Sequence, residues 1–211
     1  MGKGLVKTDK VAIRNRVIEL IGPDKAFVLD AYAGAGVMYR AVWNRAARYT
    51  ACDRKFFFDK RTAYVCNNEL LFKVIDLSRF NLFDLDAYGS PWENCLTIAK
   101  RRVVSPGERI GIVLTDGSSL KLRFGSAPTA INELTGIGRA RSATKKDNTD
   151  VAIACMDGLA RKMNCRIERR FMALGRGSQP GQPGGLDSRM GYYGLVLVGL
   201  EPEAPDVAAA A

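Results

Sequence analysis

The stretch Val28-Leu29-Asp30-Ala31-Tyr32-Ala33-Gly34-Ala35-Gly36 constrains this chain more than any other. A short apolar run ends in a carboxylate, two closely spaced glycines follow, and Val37–Arg45 then has a helical pattern. The order predicts a strand, a tight turn and a helix, with glycines that let a ligand come close to the backbone. The theme recurs along the chain. Arg48–Asp53 reads as a second strand ending in Asp53, Thr62–Cys66 as a weaker third, and Phe80–Asp86 as a fourth ending in Asp86. Arg109–Thr115, Arg166–Leu174 and Tyr192–Leu200 read as the fifth, sixth and seventh. Helices are expected over Thr8–Ile21, Glu69–Asp76, Pro91 to about Arg102 and Asp150–Asn164, with proline suited to a first helical position. In the first of these, Val11, Val17, Ile18 and Ile21 form the apolar stripe and Lys10, Arg14 and Arg16 lie off it, before Gly22-Pro23 stops the helix. Gly117–Asn148 is poorly patterned, and Gly175–Gly191 reads as a flexible loop. Alternating strands and helices predict an α/β fold with a mostly parallel sheet covered on both faces. Only a loop joins the last two strands, which permits an antiparallel final strand.

Composition narrows the chemistry. The chain has 211 residues, about one domain's worth, and 47% of them are hydrophobic, so a core forms without staples. There is no histidine, which excludes Ser-His-Asp and Cys-His nucleophiles and His-ligated zinc. Five cysteines at wide spacing, with no CxxC, suggest neither a disulfide framework nor a zinc ribbon, and a cytoplasmic setting is expected. No metal site, signal peptide or transmembrane run is expected.

By this reading Asp30, Asp53 and Asp86 reach one rim, the C-terminal edge of the sheet, where ligands of such folds bind at the switch between the first and fourth strands. The glycine turn has three readings. One is an ordinary strand–helix turn. A dinucleotide site wants G-x-G-x-x-G, but Tyr39 takes the third glycine's place. The segment instead resembles motif I of class I S-adenosylmethionine (SAM)-dependent methyltransferases, in which an acidic residue precedes a G-x-G turn. The resemblance implies a Rossmann-like methyltransferase sheet and SAM as cofactor, held by Asp30, Tyr32, Gly34, Gly36, Asp53, Asn67 and Asp86. Asp53 would take both ribose hydroxyls, although nicotinamide sites share that carboxylate. Asn67 or Asn68 would meet the adenine amine, or simply form a turn.

Phe83-Asp84-Leu85-Asp86-Ala87-Tyr88-Gly89-Ser90-Pro91 resembles motif IV of amino-methyltransferases, D/N-P-P-Y/F. It looks more like the D-P-F-G-S-P of the tRNA guanine-26 N2-dimethyltransferase family, with Ala87 where that family has proline. The implied activity is methylation of an exocyclic nucleobase amine, most like guanine N2 in RNA. The alternatives are a DNA adenine or cytosine amino-methyltransferase and a non-catalytic SAM-fold nucleic-acid-binding module. Asp86 and the Ala87 carbonyl would accept the amine hydrogens, and Tyr88 would stack on the base. The alternatives for Asp86 are cofactor binding or a turn cap, and for Tyr88 loop packing. Thr115-Asp116-Gly117-Ser118 reads as an Asx-type turn at the same rim, or as a pocket wall.

Charge is the last clue. Lys and Arg number 32 against 22 Asp and Glu, a net +10. Ten of these cations fall between Arg139 and Arg176 against four carboxylates. Arg139, Arg141, Lys145, Lys146, Arg169 and Arg170 are candidates to hold nucleic-acid phosphates, with Lys3, Lys7, Lys10, Arg14 and Arg16 adding to them; a solvated basic face is the alternative. RNA is favoured over DNA as partner, no membrane is expected, and a protein partner supplying substrate recognition is possible, because the family's larger RNA-binding portion does not fit in this length. The expected organisation is an N-terminal helix extension over 1–22, a methyltransferase domain over 23–201 and a disordered tail over 202–211.

Overall fold

The computed structural model describes residues 8–87, 89–118, 121–122, 127–137, 145–174 and 190–202, with the side chains of 8, 145–147 and 174 excepted. Seven strands build one sheet: β1 (Phe27–Asp30), β2 (Arg48–Asp53), β3 (Ala63–Val65), β4 (Leu82–Leu85), β5 (Arg109–Asp116), β6 (Cys165–Leu174) and β7 (Gly191–Gly199). Their order is β3-β2-β1-β4-β5-β7-β6. The first five run parallel, and β7 lies antiparallel between β5 and β6. The described helices are α1 (Thr8–Ile21), α2 (Val37–Ala41), α3 (Asn68–Val74), α4 (Trp92–Arg101), α5 (Thr129–Thr135) and α6 (Lys145–Lys162). The chain leaves β1 toward β2 on one side and later returns to β4 on the other, so a crevice opens beyond the C-terminal ends of β1 and β4.

Alternation along the strands divides the core between two faces. Val28, Leu82, Val113 and Val196 face α1 and α2, together with Ile13, Val17, Ile18 and the buried Trp43. Leu29, Phe83, Ile112 and Leu195 face the opposite layer of α3, α4, α5 and α6. Helix α1 lies close on the sheet because β5 and β7 present glycines under it. A Cβ on Gly111 would come within 2.9 Å of Val17, and one on Gly194 within 2.6 Å of Ile13.

Several elements differ from the sequence reading. Helix α2 ends at Ala41, Val42 leaves helical geometry (φ −140°), and Trp43–Arg45 forms a 3-10 turn. The break sends the Trp43 indole N–H to a buried carboxylate, Asp84. Strand β4 is shorter than expected. Helix α5 lies in the stretch that lacked a visible pattern, and α6 starts at Lys145, five residues early. Ala130, Ile131 and Leu134 bury one face of α5, and Gly136 in left-handed geometry (φ 73°) ends it. Arg14 was expected off the buried stripe of α1. It is fully buried, because Asp84 waits beneath it. Among the described residues, no helix is long and apolar enough to cross a membrane and no His/Cys/Asp/Glu cluster could hold a metal ion.

Candidate active site at the strand ends

Two polar systems meet at the crevice. The first is the turn after β1. Gly34 and Gly36 adopt positive φ (45° and 74°), a conformation that costs a side-chain-bearing residue energy. The Ala33 N–H donates to the Cys52 carbonyl at 3.0 Å, and the Gly34 N–H donates to Asp53 Oδ2 at 2.9 Å. Asp53 Oδ1 accepts from the Lys55 N–H at 2.9 Å. Each Asp53 oxygen thus uses one lone pair on its own backbone and keeps another. Arg61 closes the turn from outside, donating to the carbonyls of Ala33 (3.3 Å) and Gly34 (2.8 Å) and pairing with Asp59 at 2.6 Å. A Cβ at Gly36 would stand 2.8 Å from the Arg61 guanidinium carbon, so a side chain there would displace Arg61 as well as strain the backbone. A pocket opens beside this turn, lined by Ala33, Gly34, Asp53, Phe57, Arg61 and Tyr64 among others.

The second system is a row of carboxylates under α1. In helix α1, Lys10 and Arg14 stand one turn apart, about 6 Å along the axis. In the chain below, Asp84 and Asp86 are two residues apart, about 6.7 Å. The two repeats match. Lys10 pairs with Asp86, and Arg14 grips Asp84 with two bonds of 2.8 and 2.6 Å, while Trp43 Nε1 donates to Asp84 at 2.8 Å. Asp30 faces Asp84 across the strand pair. It accepts from the Tyr49 hydroxyl at 2.8 Å and from the Tyr32 N–H at 3.3 Å. Three carboxylates thus share two cations. Burial, then the Asp84 charge, push the Asp30 carboxyl up to about 8.

The expected cofactor residues therefore occupy distinct places. Gly34 and Asp53 line the pocket beside the turn, and Gly36 is buried behind the Arg61 guanidinium. Asp30, 1% exposed, sits beneath the turn and holds it through Tyr32. The Tyr32 hydroxyl accepts from Asn94 Nδ2 at 2.8 Å, and burial raises the phenol above its ordinary range. Asn67 caps α3, its side chain accepting from the Glu69 N–H at 2.9 Å. Asp86 directly follows β4 at the rim, its side chain 19% exposed. Tyr88, expected to stack on a base, lies outside the described residues.

The loop after Asp86 is held by its neighbours. The Ala87 N–H donates to the Leu85 carbonyl at 2.9 Å, a bond that proline in this place has no N–H to make. The Gly117 N–H donates to the Gly89 carbonyl at 2.9 Å. Asp116 accepts from the Ser118 N–H at 2.8 Å, the expected Asx-type turn, and from Trp92 Nε1 at 3.0 Å. Among the described residues the buried Thr115 hydroxyl beside it meets no hydrogen-bond partner.

The basic candidates fare unevenly. Lys10 and Arg14 were counted among possible phosphate ligands; they are committed to Asp86 and Asp84 instead, because unpaired carboxylates in this interior would be costly. Arg170 pairs with Asp157, while Arg169 stands exposed on the edge strand β6. Arg139 and Arg141 lie outside the described residues, as do the side chains of Lys145 and Lys146. The sequence reading gives Asp84 and Trp43 no role and assigns Arg14 a different one. Local spacing does not mark them, because their contacts join parts of the chain 41 and 70 residues apart.

No family model matches the sequence, and no curated protein does. Solved structures match the fold. Trm1 from Pyrococcus horikoshii, in complex with S-adenosyl-L-methionine, superimposes with a TM-score of 0.54 at 15% identity, over 90% of this chain and 54% of that one. TYW2 from M. jannaschii, in complex with AdoMet, gives 0.52 at 8% identity, over 94% and 80%. The fold is that of a Rossmann-like methyltransferase. This chain spans about half the length of the Pyrococcus protein.

Proposed function

We propose that the chain is an enzyme that transfers a methyl group from SAM to an exocyclic amine of a nucleobase, guanine N2 in RNA being the substrate its motif IV resemblance favours. The observation that carries the reading is the pairing at one crevice of a glycine turn tethered to Asp53 with a carboxylate, Asp86, at the end of β4. The two solved structures described above were determined with the same cofactor.

The residues fit that cofactor. Gly34 leaves backbone uncovered where a ligand would approach, and Asp53 has a lone pair spare on each oxygen for two ribose hydroxyls. Tyr64 and Phe57 offer apolar wall beside it. Bound there, the cofactor supplies an electrophilic methyl on a sulfonium for in-line displacement. The protein's own work is positioning. Asp86 and the Ala87 carbonyl accept the amine hydrogens and turn the nitrogen lone pair toward the methyl. Lys10 holds the Asp86 carboxylate in place. Tyr88 stacks on the base. No imidazole is needed, since the amine proton leaves after transfer. The N–H of Ala87 takes over the loop restraint that a proline ring would give. Arg169, with Arg139, Arg141, Lys145 and Lys146, supplies charge for the RNA backbone, and the free cysteines suit a reducing cytoplasm.

A second reading, a binding module without catalysis, draws on the same Lys10–Asp86 pair, since a carboxylate held by an ammonium has less to offer an amine. Calorimetry with SAM and S-adenosylhomocysteine, followed by labelled-methyl transfer to mixed RNA and DNA pools and nucleoside analysis, tests both. Cofactor binding with label in N2-methylguanosine supports the proposal. Cofactor binding with no label in either pool favours the binding module, and no cofactor binding ends the enzyme reading.

A further inference from the structure

The connection from β2 to β3 carries a surface that the site does not use. Residues 54–61 read Arg-Lys-Phe-Phe-Phe-Asp-Lys-Arg. Their side chains alternate. Phe57 turns inward to the pocket wall, with the Arg61 guanidinium 6.0 Å from its ring centre. Phe56 and Phe58 turn outward, 60% and 98% exposed. Their rings meet edge to face, with centroids 4.8 Å apart and planes at 81°.

A phenylalanine exposed to that degree contributes little to folding, and a pair of them is apolar surface that asks for a ligand. The flanking cations say which. Arg54, Lys55 and Lys60 are exposed around the two rings, and in the whole stretch only Asp59 opposes them, itself paired with Arg61. Rings that offer π-faces, framed by cations, are the chemistry that meets unpaired bases and their phosphates. The position agrees. The loop springs from the C-terminal end of β2, and β2 and β4 flank β1, so it borders the rim where Asp86 stands, about 10 Å away by strand spacing. A base drawn to that rim must be unpaired, and so leaves neighbours to be held.

We propose that loop 54–61 is a base-stacking tongue that grips single-stranded RNA beside the target nucleotide through Phe56 and Phe58, with Arg54 and Lys60 on the phosphates. The proposal rests on the nucleic-acid substrate read above, and not on methyl transfer. Fluorescence anisotropy with a labelled mixed-sequence single-stranded RNA tests it, using the full chain and the variants Phe56→Ala/Phe58→Ala and Arg54→Gln/Lys60→Gln. The phenylalanine variant weakens binding by about ten- to a hundredfold and leaves the salt dependence unchanged. The cation variant lowers the slope of log affinity against log salt by about 1.4. Calorimetry with S-adenosylhomocysteine on the same preparations gives wild-type affinity for both, showing that pocket and fold survive. RNA affinity unchanged in the phenylalanine variant overturns the tongue. So does concentration-dependent self-association, read by sedimentation and lost in that variant, which makes the face a subunit contact. Cofactor binding without RNA binding sinks the tongue and leaves the cofactor site standing. RNA binding that needs the two rings, without cofactor binding, sinks the methyltransferase and keeps the tongue.

Discussion

Asp30 is a carboxyl whose environment, not its chemistry, decides its charge. Burial and the facing Asp84 raise it to about 8 from an ordinary value of 3.8. Between those limits the folded chain holds a proton that the unfolded chain has lost, so folding stability falls as pH rises, by up to about 1.4 kcal/mol per unit. Asp30→Asn is expected to flatten that decline in a series of urea melts from pH 5 to about 8; an unchanged slope would show that Asp30 is ionised throughout. At Asp53 the stakes are binding. Asp53→Ala should raise the SAM dissociation constant by about ten- to a hundredfold, from loss of charged hydrogen bonds. It also frees the Gly34 N–H, at a cost of about 1 kcal/mol in a melt. Unaltered affinity in calorimetry refutes the ribose role. Asp86→Ala is expected to cut turnover on the order of a hundredfold while cofactor affinity holds within a fewfold. Equal loss of both makes Asp86 a cofactor ligand. All three carboxylates were visible in the sequence as strand ends. Asp84 was passed over, because only the stacked α1 reveals what a buried strand carboxylate pairs with.

Elements were read best where local pattern and tertiary demand agree. Helix α1 and strands β1, β2 and β5 begin and end within a residue of expectation, since each is a short periodic run between breakers. The five-residue α2 was read too long. Val37–Arg45 is helical by pattern, but Trp43 must reach Asp84, and a long-range contact of that kind leaves no trace in spacing. Helix α5 was missed because its seven residues carry too little period to stand out from the polar stretch around it. Its packing makes a sharp prediction. A Cβ on Gly158 of α6 would come 1.8 Å from the Leu134 carbonyl oxygen of α5. Alanine in a helix interior ordinarily gains up to about 1 kcal/mol over glycine. Gly158→Ala should instead lose about 1–3 kcal/mol, seen as a lower urea midpoint at unchanged slope, because backbone must move. A gain would mean that α5 and α6 pack less closely than the structure has them.

For the whole molecule, the net +10 is not one uniform patch. Arg14, Lys10, Arg170 and Arg109 are spent on Asp84, Asp86, Asp157 and Glu168, while Arg169, Arg54, Lys55 and Lys60 stay exposed. Affinity for single-stranded RNA is therefore expected to fall with salt by about 0.7 log units per log unit for each phosphate held, giving a slope of several. A slope near zero in the same anisotropy titration would assign the charge to solubility alone. The sequence by itself determined the fold class. Alternating short strands and helices can bury their apolar faces only in a covered, mostly parallel sheet, and the glycine turn after β1 marks the rim where ligands of such folds bind. The loop between the last two strands allowed for the antiparallel β7. Tertiary structure alone decided which charges are free. Pairing depends on distances between residues as far apart in the chain as Arg14 and Asp84, or Lys10 and Asp86, and local spacing carries no record of them. It also decided that three adjacent phenylalanines split, one into the pocket wall and two out to solvent. The order of residues in the β2–β3 loop does not say which way each ring turns; only the packing around it does.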